Sequence, residues 1–571
     1  MTHISNFRPG LLATALLISA CALLPLQPDR NARAPALDGY GNATLIVTTT
    51  IPAAQALFAQ GMAQAYAFNE VEAVRAFKAA LAQDPDCAMC AWGVGYQLGP
   101  NINNPDRGDL SEALRYVDYA IKHAGAVTPR ERALIDALAL RYAFASEAKN
   151  TAPLQAAVCK SRGSDAGEKA DPLDIAYAER MRGLADRFPA DPDIVSLYAE
   201  AELIATHFDL WDDVTGKPKG RIGEVADRLE AALPANLNHT GLNHYLIHTV
   251  DALPAAHRAE AAADRLGALA PKSPHLVHMP SHTYAWLGRY GDATRVNQQA
   301  IQLDLDFAAA MKAQGFDVSK DWRGHNGRFQ WYSALMEGRG DLALEMARTA
   351  GARASKGDGE WGEFMRAQPL LTLLRMERWD AVLNEPLPAV GKGSKGMATV
   401  LAEQARGVAL ARTGKTAEAA QALARLEPAA APLLKANTGK SFEQKFVRGV
   451  VEVAQARLRA EVALANQRYE EAQAQQTLAI TAAKDVDSAE PPLLAAGTRL
   501  TLGDMQLQAK AWVAAEQSFR ADLKQHPNSG WALRGLAQAL KGQGREAEAA
   551  TQRAALDKSW AVADVRLRAS R

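Results

Sequence analysis

The sequence predicts an all-α, helical-repeat solenoid, and three observations carry that expectation. Apolar residues recur at i, i+3 and i+4 through Ala-rich segments along nearly the whole chain, with few β-branched runs. Helix starts are punctuated. Thr128-Pro129-Arg130-Glu131 combines an N-cap threonine, proline at the first helical position and glutamate at N3. Asp171-Pro172 and Asp191-Pro192 repeat the cap-then-proline signal. Finally, His244 and His248 recur as His278 and His282, both displaced by 34 residues, the length of one stacking helix–turn–helix unit.

The N-terminus reads as an export signal. Arg8 gives a thin positive region and residues 11–20 form an apolar stretch. That stretch is shorter than the ~20 apolar residues a membrane span needs. It closes on Ile18-Ser19-Ala20-Cys21, which resembles the bacterial lipobox. This resemblance implies diacylation of Cys21 and an outer-membrane lipoprotein facing the periplasm. With ordinary cleavage instead, and Cys21 not lipidated, the protein would be secreted. Residues 22–45, with Pro25, Pro28 and Pro35, read as a tether.

After the tether, N-terminal repeats are expected over 46–130. Gly61, Ala73, Phe77, Ala80 and Pro85 carry the spacing of the tetratricopeptide (TPR) consensus, which they resemble. Residues 131–225 are helical but carry no clear repeat signature, and 211–221 form a polar loop. Central repeats rich in histidine span 226–390, with Ala259 and Ala293 at equivalent positions and an insertion around 305–324. A further unit carries Gly338 and Ala343. The glycine-rich run at 390–396 predicts a break before C-terminal repeats over 397–571, where Gly503, Ala515, Phe519 and Pro527 fit the same frame.

Lys plus Arg and Asp plus Glu both number 64, so the chain lacks the basic excess of a nucleic-acid binder. No dinucleotide fingerprint, Walker loop or GxSxG is present, which removes support for nucleotide use and serine hydrolysis. The chemistry therefore rests on the histidines, eight of whose twelve fall between His239 and His325. The repeat frame puts His244 and His248 at positions 5 and 9, with His278 and His282 equivalent. His275 and His325 both fall at position 2. In TPR proteins such positions resemble a ligand-facing row, which Asp251 and Tyr332 would join.

Histidines at i and i+4 stack on one helix face, and facing helices lie ~8–10 Å apart, so His244, His248, His278 and His282 could share one ion. Neutral imidazole suits Zn, Cu, Fe or Ni. Two other uses fit the same residues. They could line a metal-free polar groove for a peptide or small ligand, with Asp251, His275, His325 and Tyr332, or they could be structural residues copied with the repeat. Pro280 lies between His278 and His282, and a helix starting there would leave His278 outside it. Whether any reaction is catalysed stays open. Cys87 and Cys90 open a helix after Asp84-Pro85-Asp86, where a disulfide, or alternatively metal ligation, is expected.

Residues 87–92, Gly99-Pro100-Asn101-Ile102-Asn103, Asn243-His244-Tyr245, residues 275–282 and His325-Asn326 together resemble an uncharacterised group of bacterial exported TPR proteins. The resemblance covers roughly residues 55–345 and implies the TPR fold, without a reaction. The chain departs from the group at Asp251, where Glu is commoner, and at Ala91, where an aromatic residue is usual. The function expected from these readings is a scaffold binding a protein or peptide partner in its groove. The alternative is a histidine-coordinated metalloprotein or metalloenzyme. Membrane contact would run through the lipid anchor only.

Overall fold

A computed structural model describes residues 26–104, 109–142, 171–207, 209–212, 215–318, 320–355, 357, 359–487, 489–494 and 497–565. Cys21 and Cys159 lie outside these residues. From Pro52 onward the described residues are mostly helical, and the described residues hold no strand, only isolated bridges at Asn101–Asn104 and Trp211–Pro218. Successive helices pack as neighbours: Pro52–Tyr66 on Glu70–Gln83, Ala88–Gln97 on Ser111–His123, Pro172–Arg187 on Pro192–Ala205. First helices also touch the next first helix, as Met397–Arg412 touches Phe442–Ala465. That pattern defines a solenoid.

One local rule repeats along it. Phe68, Gly288, Gly338, Glu377, Gly414, Gln467, Lys510 and Gly544 all have left-handed backbone, with φ between 51° and 84°. Five residues after each stands a small, fully buried side chain: Ala73, Ala293, Ala343, Val382, Ala419, Ala472, Ala515 and Ala549. The turn reverses the chain, and the small residue lets the second helix lie close against the first. Packing at the two ends of the chain follows one plan. Phe77 is wedged between Gly61 and Gly93, where an added Cβ would come within 2.5 Å of its ring. Phe519 sits the same way between Gly503 and Gly535. The architecture is a tetratricopeptide-like solenoid.

Helix starts follow the sequence expectation. Thr128 and Glu131 form a reciprocal capping box, and Asp171 and Asp191 cap the helices that open at Pro172 and Pro192. The described parts of 131–225 supply the helices Pro129–Arg141, Pro172–Arg187, Pro192–Ala205 and Ile222–Ala232 to the same stack. Within 211–221, Trp211 turns inward and donates its Nε1–H to the Thr249 carbonyl at 2.9 Å.

Three expectations change. The segment expected as a tether is packed against the body from residue 26 onward. Leu26 rests on the core, and Tyr40 and Leu45 are buried. Ala36 N–H donates to Gln314, Asn42 N–H to Thr240 and Thr44 N–H to Asp193, while Lys272 N–H donates to the Gly39 carbonyl. Backbone groups along an extended strap, bonded mostly to side chains of the body, thus fasten it to helices far away in sequence. The expected break at 390–396 does not interrupt the interior. Buried Glu363 accepts from Gly391 N–H and Ala398 N–H, and one apolar cluster runs from Tyr290 to Ala549 across it. The third change concerns the ligand-facing row, which is closed.

The chain's end returns to its middle. Trp531 Nε1–H donates to the Leu335 carbonyl at 2.9 Å and Trp560 Nε1–H to the Met336 carbonyl at 3.0 Å. Asp564 N–H and Val565 N–H donate to the Gly338 carbonyl. No described helix is long and apolar enough to cross a membrane.

Candidate metal centre

Four helices deliver six histidines to one interior region. His244 and His248 stand on Thr240–Thr249, which His239 caps by accepting from Leu242 N–H. His275 and His278 stand on Pro274–His278, His282 on Pro280–Leu287 and His325 on Arg323–Glu337. Pro280 does open a helix, yet Met279 keeps right-handed helical angles between the two segments. The i, i+4 relation of His278 and His282 therefore survives, with their Nε2 atoms 3.1 Å apart.

The six divide into two triads. His244 Nε2 lies 3.1 Å from His248 Nε2 and 3.2 Å from His275 Nε2. His278 Nε2 lies 3.1 Å from His282 Nε2 and 2.9 Å from His325 Nε2. The expected set of His244, His248, His278 and His282 does not meet at one point. Each repeat's pair is completed instead by position 2 of the next repeat, His275 or His325, both of which the sequence assigned to the groove. The triads are neighbours, with ring centroids 6.2 Å apart for His248 and His282 and 6.1 Å apart for His275 and His278.

Partners on the far side of the rings fix where the nitrogens point. His244 Nδ1 donates to the Tyr66 carbonyl at 2.7 Å. His278 Nδ1 donates to Asn297 Oδ1 at 2.6 Å, and that amide is oriented by its own donation to the Ala293 carbonyl. A neutral imidazole protonated at Nδ1 carries one lone pair at Nε2. His282 Nδ1 donates to Asp251 Oδ2 at 2.8 Å, with Glu490 Oε2 at 3.5 Å, and Asp251 Oδ1 accepts from Trp286 at 2.7 Å. Asp251 therefore orients a histidine. Tyr332 is buried against Tyr290.

Aromatic rings seal the region. Phe68 covers the first triad, with centroids 4.6, 5.4 and 4.9 Å from His244, His248 and His275. Trp322 stacks on His275 at 4.4 Å, and Phe329 lies 4.3 Å from His282. The insertion after residue 305 extends the helix Tyr290–Ala313 and then supplies this tryptophan. The expected groove residues are buried: His275 is 0% exposed, His325 5%, Tyr332 3% and Asp251 9%. A groove open to a peptide at these positions is not what the fold builds.

Burial holds His244, His275, His278 and His325 below the ordinary imidazole value, and repulsion from neighbouring histidines adds to it. Burial and His282 pull His248 down to about 3. His282 is the exception. Burial lowers it, but Asp251 and Glu490 outweigh that effect and lift it to about 9. Burial pushes Asp251 up, and the His282 charge holds it below the usual carboxylate value. Five of the six rings are thus neutral at pH 7, the protonation state that binds metal.

Sequence reading missed Phe68, Trp322, Phe329, Asn297 and the Tyr66 carbonyl. One signal was available. Phe68 occupies a turn position that four other repeats fill with glycine. At the other end of the N-terminal repeats, Cys87 and Cys90 are joined as a disulfide at the helix start, where Cys87 Sγ also accepts from Cys90 N–H.

No protein-family description matches the chain, and no curated protein sequence is similar to it. Among solved structures, a human IFIT1 dimer with m7Gppp-AAAA aligns over 82% of this chain and 89% of its own, at 12% identity and TM-score 0.28. The P58(IPK) TPR domain aligns over 67% and 92%, at 12% identity and TM-score 0.18. Yeast Tom70 aligns over 88% and 91%, at 12% identity and TM-score 0.22. Superpositions this loose carry nothing about function. The helical-repeat assignment rests on the chain's own turns and packing.

Proposed function

We propose that the protein holds two transition-metal ions side by side in the interior of its repeat solenoid, one in each histidine triad. A single observation carries this reading. His244 and His278 each have one Nε2 lone pair, and each faces two other imidazole nitrogens within 3.2 Å. One lone pair accepts one N–H, so in the absence of a cation one contact in each triad sets nitrogen against nitrogen without a proper hydrogen bond. A cation among the three nitrogens removes that conflict. Tetrahedral ligands at ~2.0–2.1 Å from a metal lie roughly 3.3 Å from one another, close to these separations.

All-imidazole ligation without oxygen donors favours Zn, Cu, Fe or Ni over Mg or Ca. Three ligands leave a fourth position, where such an ion would supply Lewis-acid or redox chemistry to a small molecule. The hydrogen bonds that His244, His278 and His282 donate to the Tyr66 carbonyl, Asn297 and Asp251 support the reading, because metal-binding histidines are held by such partners. We also propose export, with lipid attachment at Cys21. The Cys87–Cys90 disulfide supports an oxidising compartment. Partner binding is proposed only for the outer repeat surfaces, on the strength of the architecture.

The test is metal analysis of residues 22–571, prepared without a histidine tag. Two ions per chain are expected, falling to one in His244→Ala/His248→Ala and to one in His278→Ala/His282→Ala. Folded protein that takes up none of Zn, Cu, Fe or Ni would overturn the proposal.

A further inference from the structure

The two triads are not isolated from each other. Across the boundary between them, ring centroids are 6.2 Å apart for His248 and His282 and 6.1 Å apart for His275 and His278. The widest spacings inside a triad are no smaller, 6.3 Å for His248 and His275 and 6.0 Å for His282 and His325. One phenyl ring lies against each triad. Phe68 does so for the first, and Phe329 for the second, at 4.8, 4.3 and 5.1 Å from His278, His282 and His325. A phenyl is no metal ligand, so the side it covers supplies no fourth donor. The side left to each ion faces the other triad, where His248 and His275 meet His282 and His278.

Charge narrows the choice of ion. Both triads consist of histidine alone. Asp251 and Glu490 meet His282 at Nδ1, on the side of the ring away from its triad. Two divalent ions among neutral rings repel each other four times as strongly as two monovalent ions at the same distance. Two monovalent ions would also be matched by the two carboxylates. Of the metals that imidazole suits, copper is the one with an ordinary monovalent state. All six histidines are 5% exposed or less, so whatever reaches the ions must be small enough to pass between packed side chains. An uncharged diatomic does so without carrying charge into the interior.

Building on the reading of two ions given above, we propose that they are copper(I) and that the pair takes up one dioxygen molecule between its two open positions. Each ion gives up one electron and becomes copper(II). Dioxygen accepts both electrons, its double bond becomes the single bond of a peroxide dianion, and copper–oxygen bonds form to both ions. No proton moves and no group leaves, so the net charge of the centre is the same before and after. Removal of dioxygen reverses the step and returns both electrons to copper.

The intact protein, loaded with copper(I) under argon, tests this in an oxygen-electrode cell. Uptake of one dioxygen per two bound coppers is expected, with release under renewed argon. The oxygenated pair should be silent in electron paramagnetic resonance, because adjacent copper(II) spins couple. His244→Ala/His248→Ala, which keeps one ion, should lose the uptake, and zinc-loaded wild type should show none. Should the variant misfold, the wild-type stoichiometry, its reversal and the resonance spectrum decide. Two bound coppers without uptake, uptake retained in the one-copper variant, or separate copper(II) signals would overturn this inference and leave the triads as metal sites. So would protein that takes up two zinc ions and no copper(I). Folded protein that binds no metal would overturn both readings.

Discussion

Phe68 shows what a single residue does at this site. It holds φ at 51°, a conformation that costs a bulky side chain ~1–2 kcal/mol and that Gly288, Gly338, Gly414 and Gly544 adopt freely in equivalent turns. Lys320 secures it by donating to its carbonyl at 2.6 Å. In return, one ring covers His244, His248 and His275. Phe68→Gly is therefore expected to ease the backbone and open the first triad. Stability should fall by only ~1 kcal/mol, because the strain released offsets much of the lost aromatic burial. One of the two proposed ions should pass to a chelator several-fold faster while the other keeps its wild-type rate. Timed chelation with a colorimetric chelator reads both phases, and an unchanged trace would remove Phe68 from this role.

At the scale of elements, the sequence was legible wherever structure is local. Caps at Thr128, Asp171 and Asp191 depend on three or four neighbouring residues, and the buried alanines follow their turns at fixed spacing. The turn rule yields a paired prediction. Gly338→Ala would place a Cβ 2.7 Å from Ala563 and 3.0 Å from the Trp560 ring, at φ 80°, and should cost ~1–3 kcal/mol. Lys510→Gly, at φ 56° in an equivalent turn, should be neutral or gain up to ~1 kcal/mol. Thermal melting of both variants checks the rule, and equal effects would refute it. The triads were less legible for a physical reason. The repeat frame puts His275 and His325 at position 2, but packing brings them against His244 and His278 of the preceding unit. That meeting comes from helix packing and leaves no mark in residue spacing. The strap was misread likewise, since its Pro-rich composition suggests flexibility while its hydrogen bonds lead to Asp193 and Thr240.

The molecule as a whole shares the protonation chemistry of its centre. In metal-free protein, His244, His248, His275, His278 and His325 bind protons more weakly folded than unfolded, His248 down to about 3 against an ordinary 6.5. Between those values the unfolded chain holds more protons, so stability falls as pH drops below 6.5, by up to ~1.4 kcal/mol per pH unit for each ring. His282 acts oppositely. Its contribution is complete below 6.5 and is lost as pH rises towards about 9. The urea midpoint of chelated protein should therefore peak near neutrality, and His248→Phe should flatten the acid limb. A midpoint constant from neutrality to about pH 5 would contradict the assignment.

The N-terminal strap has a consequence at this same scale. With Cys21 lipidated, as proposed, five residues separate the anchor from Leu26, which already rests on the body. Five residues reach at most roughly 18 Å when fully extended. The solenoid would then have no long leash. It would ride close against the bilayer, its orientation set by where the strap begins.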